Sequence, residues 1–143
     1  VIIAFLTTPQ EDSIGAHYDA DDWDRGRHSL VGDVRFRGQH RVMVWWCSIM
    51  HYMFLDEART RYIVGEPEFT NLTVLAYDHA TGFSLEKLID LPHKRSALVK
   101  CSREKFFHIS PFRFDGSDHL ERDPYRALKL WSATMEGPGK LNI

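Results

Sequence analysis

Long apolar runs are missing from this sequence. The longest near its start, Val1 to Leu6, falls far short of the roughly 20 residues that a membrane-spanning helix needs, and it makes a poor secretory signal. Cysteine is scarce: Cys47 and Cys101 make neither a disulfide framework nor a zinc knuckle. The expected compartment is therefore reducing and intracellular, cytoplasmic or peroxisomal, although the last residues, Leu141-Asn142-Ile143, are not a Ser-Lys-Leu type of peroxisomal address. An excess of positive charge is missing too. Eighteen basic against twenty acidic residues leave a net charge of −2, which removes any bulk drive onto nucleic acid or anionic membrane. Neither is expected as a partner. There is no internal repeat and no low-complexity block. A Gly-x-Ser-x-Gly elbow and a Cys/His pairing are both lacking, which argues against a covalent nucleophile.

What is present is an ordinary globular composition, 43% hydrophobic and 27% charged over 143 residues. A complete domain of that length buries roughly 70% of its unfolded surface, enough for a proper core. Val1–Leu6 reads as a strand and Thr7–Asp12 as a polar turn; Asp19–Gly26 is an acidic loop and His28–Gly32 a short strand. Val42, Trp45, Trp46, Ile49, Met50, Met53 and Phe54 then recur at three- and four-residue steps, one wide apolar face of a long helix. A strand at Tyr62–Val64 and a helix from Thr70 to Ala80 follow, with Gly82 as the helix stop. Phe83–Leu91 alternates imperfectly, Ser96–Cys101 is a final buried strand, and a weak helical stretch spans Tyr125–Met135. Helices inserted between strands imply a mixed α/β sheet with at least one right-handed crossover.

The turn before the long helix carries Arg35, Arg37, His40 and Arg41. Cations are disfavoured at a helix N-terminus, where the partial charge is already positive. They make sense there if an anion sits among them, with Gly38 letting the backbone approach and the N–H groups cradling a phosphate. The competing reading is an arginine-rich surface turn paired with the acidic loop at Asp19–Asp24; spacing alone leaves both open. His17, Asp19, Asp21, Asp22 and Asp24 do not make an EF-hand, because Trp23 and Asp24 stand where an oxygen ligand and glycine belong. That loop is expected to be solvated and to contact substrate or cofactor, and no metal is expected.

Several runs together resemble one family: His-Tyr-Asp-Ala-Asp (17–21), Asp-Arg-Gly-Arg-His (24–28), Phe-Arg-Gly (36–38), His-Tyr-Met-Phe-Leu-Asp (51–56), Gly-Glu-Pro (65–67) and Leu-Pro-His-Lys-Arg-Ser-Ala-Leu (91–98). They are similar to the siderophore-biosynthesis acyltransferases of the GNAT superfamily, which include the aerobactin and mycobactin types, and closest in style to the fungal hydroxyornithine acyltransferases. The resemblance implies a GNAT fold binding acyl-CoA as co-substrate. Arg37, Gly38, Gln39, His40 and Arg41 would form the pyrophosphate loop, and neighbouring strands would splay to admit the pantetheine arm, with Asn71 near it. His28 and Glu66 match the positions held to be catalytic in the mycobactin-type enzyme. His93, Lys94 and Arg95 match a family motif and are candidates to bind a substrate carboxylate.

The chemistry can be argued separately. Acyl transfer to nitrogen needs a free lone pair, a polarised carbonyl and a route for a proton. Histidine suits base work near neutral pH, and a carboxylate can orient it or relay protons. The expected reaction is transfer of an acyl group to the hydroxylated side-chain nitrogen of N5-hydroxyornithine or N6-hydroxylysine, giving a hydroxamate. The alternative is a non-catalytic CoA-binding or interaction fragment. Residues 1–13 match the family poorly, 14–107 read as its cofactor-binding half, and 108–143 as a C-terminal extension. The chain is thus expected to be N-terminally truncated, or to carry a faulty gene boundary. A homodimer is left open.

Overall fold

The apolar patterns before residue 110 settle into strands and helices in a computed structural model, which describes residues 2–109. In chain order these are β1 (Ile2–Thr7), a 3-10 turn (Ser13–His17), β2 (Arg25–Val31), a second 3-10 turn (Val34–Phe36), α1 (Gln39–Asp56), β3 (Tyr62–Gly65), α2 (Leu72–Ala80), β4 (Ser84–Leu91), β5 (Lys94–Ser102) and α3 (Arg103–Ile109). The expected Tyr125–Met135 helix lies outside the described residues. No helix among the described residues is long and apolar enough to cross a membrane.

The five strands form one mixed sheet in the order β1-β2-β3-β5-β4. β1 and β2 run antiparallel over their whole length, from Ile2↔Val31 to Thr7↔Gly26. Gly26 is required there, because a Cβ would come within 2.2 Å of the Thr7 hydroxyl oxygen. β2 and β3 are parallel, joined by the α1 crossover. β5 pairs antiparallel with β3 on one side and β4 on the other.

The sheet alternation sends its two faces into two cores. Ile63, Ala97, Val99 and Cys101 face the apolar stripe of α1 (Val42, Trp46, Met50, Met53, Phe54), together with Leu75 and Tyr77 of α2 and Phe106 of α3. Val64, Ile89 and Leu98 face the other way and are covered by Ile14 from the first 3-10 turn. The uneven alternation of β4 has a cause. The register shifts between Leu85 and Lys87, so Leu85 joins the helix-side core while Ile89, four residues on, joins the opposite one; a bulge reverses the facing of every side chain after it.

α3 carries too short a pattern to be read from sequence, yet it completes the core. Phe106 is fully buried, and the Arg103 guanidinium donates from Nε to the Thr60 carbonyl (3.0 Å) and from Nη2 to the Glu57 carbonyl (2.7 Å).

Candidate active-site cleft

The pairing of β2 with β3 ends almost as soon as it begins. Only Arg25↔Ile63 and Gly26↔Val64 are matched; beyond them the strands part, and a cavity of about 560 Å³ lies between them. Backbone N–H and C=O groups facing such a gap need partners, so it suits an extended ligand carrying amides.

One end of the cleft is the start of α1. Gly38 stands at its N-cap with φ 112°, a conformation that only glycine adopts at little cost, and no side chain caps the helix. The first N–H groups therefore point outward, with the partial positive charge of an 18-residue helix behind them. Arg37 lines the cavity beside Gly38, its guanidinium held by the Val31 carbonyl (3.1 Å from Nη2). Gln39 and His40 form the first turn of the helix. Arg41 lies off the cavity wall; it donates to the Arg35 carbonyl and sits over the Phe36 ring. Arg35 is engaged with Asp33, Nη2 to Oδ2 at 2.7 Å. The acidic loop uses its carboxylates elsewhere: Asp22 accepts from Gln10, Asp21 pairs with Arg61, and Asp24 accepts the Tyr62 N–H at 3.0 Å. The solvated loop expected from sequence is thus corrected at Asp24, which is fully buried and pins the loop to the start of β3.

Farther along the cleft, the structure brings His28, Glu66, Lys94 and Asn71 to its walls. His28 Nδ1 stands 3.5 Å from Glu66 Oε1. Lys94 Nζ donates to the Glu66 carbonyl at 2.7 Å and to its carboxylate at 3.2 Å. Asn71 caps α2, its side chain accepting the Val74 N–H at 3.3 Å. The other two members of the basic triplet are elsewhere. His93 is exposed in the two-residue turn between β4 and β5, and Arg95 pairs with Asp90.

A residue the sequence reading passed over holds the histidine. Asp12 Oδ2 lies 2.6 Å from His28 Nε2, and the same carboxylate accepts from the Thr7 hydroxyl and the Ile14 N–H. Burial alone would raise the Asp12 carboxyl, but the hydrogen bonds from His28 and Ile14 outweigh it and hold it below its ordinary value. An ionised carboxylate only accepts, so Nε2 donates to Asp12 and Nδ1 faces the Glu66 side. Asp12, His28 and Glu66 also offer three ligand atoms within 4.8 Å of one another, a spacing that could hold a metal ion. In the structure the two carboxylates stand against opposite ring nitrogens of His28, Asp12 at Nε2 and Glu66 at Nδ1.

The cleft floor was missed as well. Arg27 and Asp78 are buried and ion-paired, Nη2 to Oδ1 at 2.7 Å, with the guanidinium carbon 3.7 Å from the centre of the Trp46 ring. Trp45 and Trp46, read as plain core, line the cavity too. Cys47 and Cys101 are free and buried, their thiols pushed up to about 12 by burial, so neither offers a thiolate at neutral pH.

Comparison with known proteins adds a second line. A family model for the acetyltransferase (GNAT) domain matches residues 5–91. Over 102 residues the chain is 62% identical to the N(5)-hydroxyornithine:cis-anhydromevalonyl coenzyme A-N(5)-transacylase SIDF of Beauveria bassiana, covering 71% of this chain and 22% of that protein. It is 61% identical to the hydroxyornithine transacylase SID3 of Ajellomyces capsulatus (72% and 24% covered) and 41% identical to the N(6)-hydroxylysine O-acetyltransferase of Escherichia coli (68% and 31% covered). The chain spans about a quarter of the length of the two fungal relatives. Among solved structures, an uncharacterised protein of Bacillus halodurans superposes with TM-score 0.72 at 29% identity, over 75% of this chain and 55% of that one. AAC(6')-Ib in complex with ribostamycin and coenzyme A matches the fold with TM-score 0.67 at 16% identity, over 80% and 63%.

Proposed function

The chain belongs to the acetyltransferase (GNAT) family, and from that premise we propose that it transfers an acyl group from acyl-CoA to the hydroxylated side-chain nitrogen of N5-hydroxyornithine or N6-hydroxylysine, in the making of a hydroxamate siderophore. The observation that carries this reading is the cleft itself. It runs from an uncapped helix N-terminus to a histidine flanked by two carboxylates.

In this reading Arg37 and the first N–H groups of α1 hold the pyrophosphate of CoA. The backbone of β2 beyond Gly26 pairs with the amides of the pantetheine arm, which lays the thioester beside His28 and Glu66. The substrate nitrogen attacks the thioester carbonyl; the N–C bond forms, the C–S bond breaks, and the nitrogen sheds a proton. His28 Nδ1 takes that proton, Asp12 holding the ring in place, and the departing thiolate is reprotonated to leave free CoA. A hydroxylamine is far less basic than an alkylamine, so it reaches the site with its lone pair free. Lys94, beside Glu66, is placed to meet a substrate carboxylate. His93 and Arg95 could reach the same substrate only from outside the cleft.

The test is direct. The protein is mixed with acetyl-CoA and N5-hydroxyornithine, ferric ion is added, and the hydroxamate colour is read. Colour that needs all the components supports the proposal. CoA binding by calorimetry with no colour would instead favour a CoA-binding fragment without catalysis.

A further inference from the structure

Helix α1 buries one side in the core, and its bare side is the unusual one. From Val42 to Leu55 the helix has no aspartate, glutamate, lysine or arginine, so its outer face lacks the charge that normally lines a solvated helix face. Val44, Tyr52 and Leu55 on that face are 68%, 58% and 64% exposed. Arg41, Val44, Ser48, Tyr52 and Leu55, all exposed, follow one another at steps of three or four residues and make one narrow seam. Apolar exposure gathered in this way marks an interaction surface.

The hydroxyls on the seam are already engaged by the helix itself. Ser48 Oγ donates to the Val44 carbonyl at 2.8 Å, and Tyr52 Oη donates to Asp56 Oδ1 at 3.2 Å. Covering the seam therefore leaves neither hydroxyl proton without an acceptor, which removes the main cost of burying such groups.

The charges at its two ends say what covers it. Arg41 stands in the first turn of α1 and Asp56 is its last residue, each at the helix end whose partial charge disfavours it. Arg41 also lies off the cavity wall, so an anion in the cleft does not account for it. A second α1 laid antiparallel corrects both ends at once. With Ser48 opposite Ser48, a small side chain lets the helices approach; Val44 then meets Tyr52, and Arg41 meets Leu55 with Asp56 beside it. A two-fold axis makes each of these contacts twice. Phe36, 48% exposed beneath the Arg41 guanidinium, extends the apolar surface at the far end. We infer that the outer face of α1 is a homodimer interface, two copies of this chain packing α1 against α1 antiparallel about Ser48, with Arg41 of each copy paired to Asp56 of the other. The seam is its own complement in charge, which a different partner would not require.

Sedimentation of the full chain tests this. The interface is small, so association is expected within roughly 1–200 µM, the mass rising with concentration from one chain towards two. Val44→Glu, at an exposed position, should weaken association at least tenfold with the melting temperature unchanged. Asp56→Arg should weaken it as well, and adding Arg41→Asp should recover at least threefold, because the swapped charges face each other again; both changes suit the helix dipole, so the variants are expected to fold. A single-chain mass at every concentration overturns the inference. If Val44→Glu lowers the melting temperature of such a monomer, residues 110–143 of the same chain cover the seam instead. A dimer that Val44→Glu leaves intact uses another surface, and a charge swap without recovery rules out the antiparallel register; either result also overturns the inference.

Discussion

His28 is held from behind by Asp12 and faces Glu66 across the cleft, so its two nitrogens have different duties. On the proposed mechanism His28→Ala removes the base, and it should lower turnover by about 10²–10⁴-fold, with CoA affinity nearly unchanged. Glu66→Ala should lower turnover as well; full rate in either variant would remove that residue from the mechanism. Asp12 stands off the cavity wall and acts through the ring. Asp12→Asn should therefore reduce turnover while leaving the Michaelis constant for acyl-CoA near its original value. Nitrogen-15 NMR of the imidazole provides the independent readout: the native protein should show the Nε2–H tautomer for His28, and the variant a mixture. An Nδ1–H tautomer in the native protein would contradict the assignment. His28 and Glu66 could be named from the sequence only because the runs around them match a family motif. Asp12 carries no such mark, since its partner is 16 residues away and only the β1–β2 pairing brings the two together. Arg27 was hidden differently: in Arg25-Gly26-Arg27-His28 an arginine reads as surface, and burial beside Asp78 follows from a helix 51 residues later in the chain.

Among the elements, α1 was the most legible and the most consequential. Its apolar stripe fixed its span, and the basic residues before it marked the open N-terminus. Gly38 makes that end usable. At φ 112° a Cβ is strained by about 1–3 kcal/mol, so Gly38→Ala should lower the melting temperature and weaken CoA binding together. A variant with unaltered affinity would show that the helix end does not hold the phosphate. Arg37→Ala tests the same end through charge, and should weaken CoA binding by roughly 1.5–3 kcal/mol, the value of a charged hydrogen bond, with little change in melting. Strand β4 was less legible, because a bulge breaks its period and no residue type announces one. The 3-10 turn at Ser13–His17 was missed for a related reason: five residues are too few for a periodic signal, although Ile14 within it seals one of the two cores.

At the scale of the whole molecule, the Arg27–Asp78 pair ties the sheet to α2 through the helix-side core, at a cost to stability. Burial pushes the Asp78 carboxyl up to about 6, and Arg27 beside it offsets that only in part; burial likewise lowers Arg27. A carboxyl raised in the folded state from an unfolded value near 3.8 makes the native protein bind more protons than the unfolded chain between about pH 4 and pH 6. Its contribution to stability is therefore greatest below that window and declines as pH rises through it, by up to roughly 3 kcal/mol. A buried pair whose desolvation outweighs its attraction is often no gain to a fold. Asp78→Asn keeps an oxygen for Arg27 and cannot ionise. Its stability relative to the native protein should rise as pH goes from 4.5 to 7.5. Urea unfolding of both proteins across that range measures the difference, in which the titrations common to both proteins largely cancel. A difference that stays flat with pH would mean that Asp78 titrates in the folded protein as it does in the unfolded chain, and that the cleft floor costs the fold nothing.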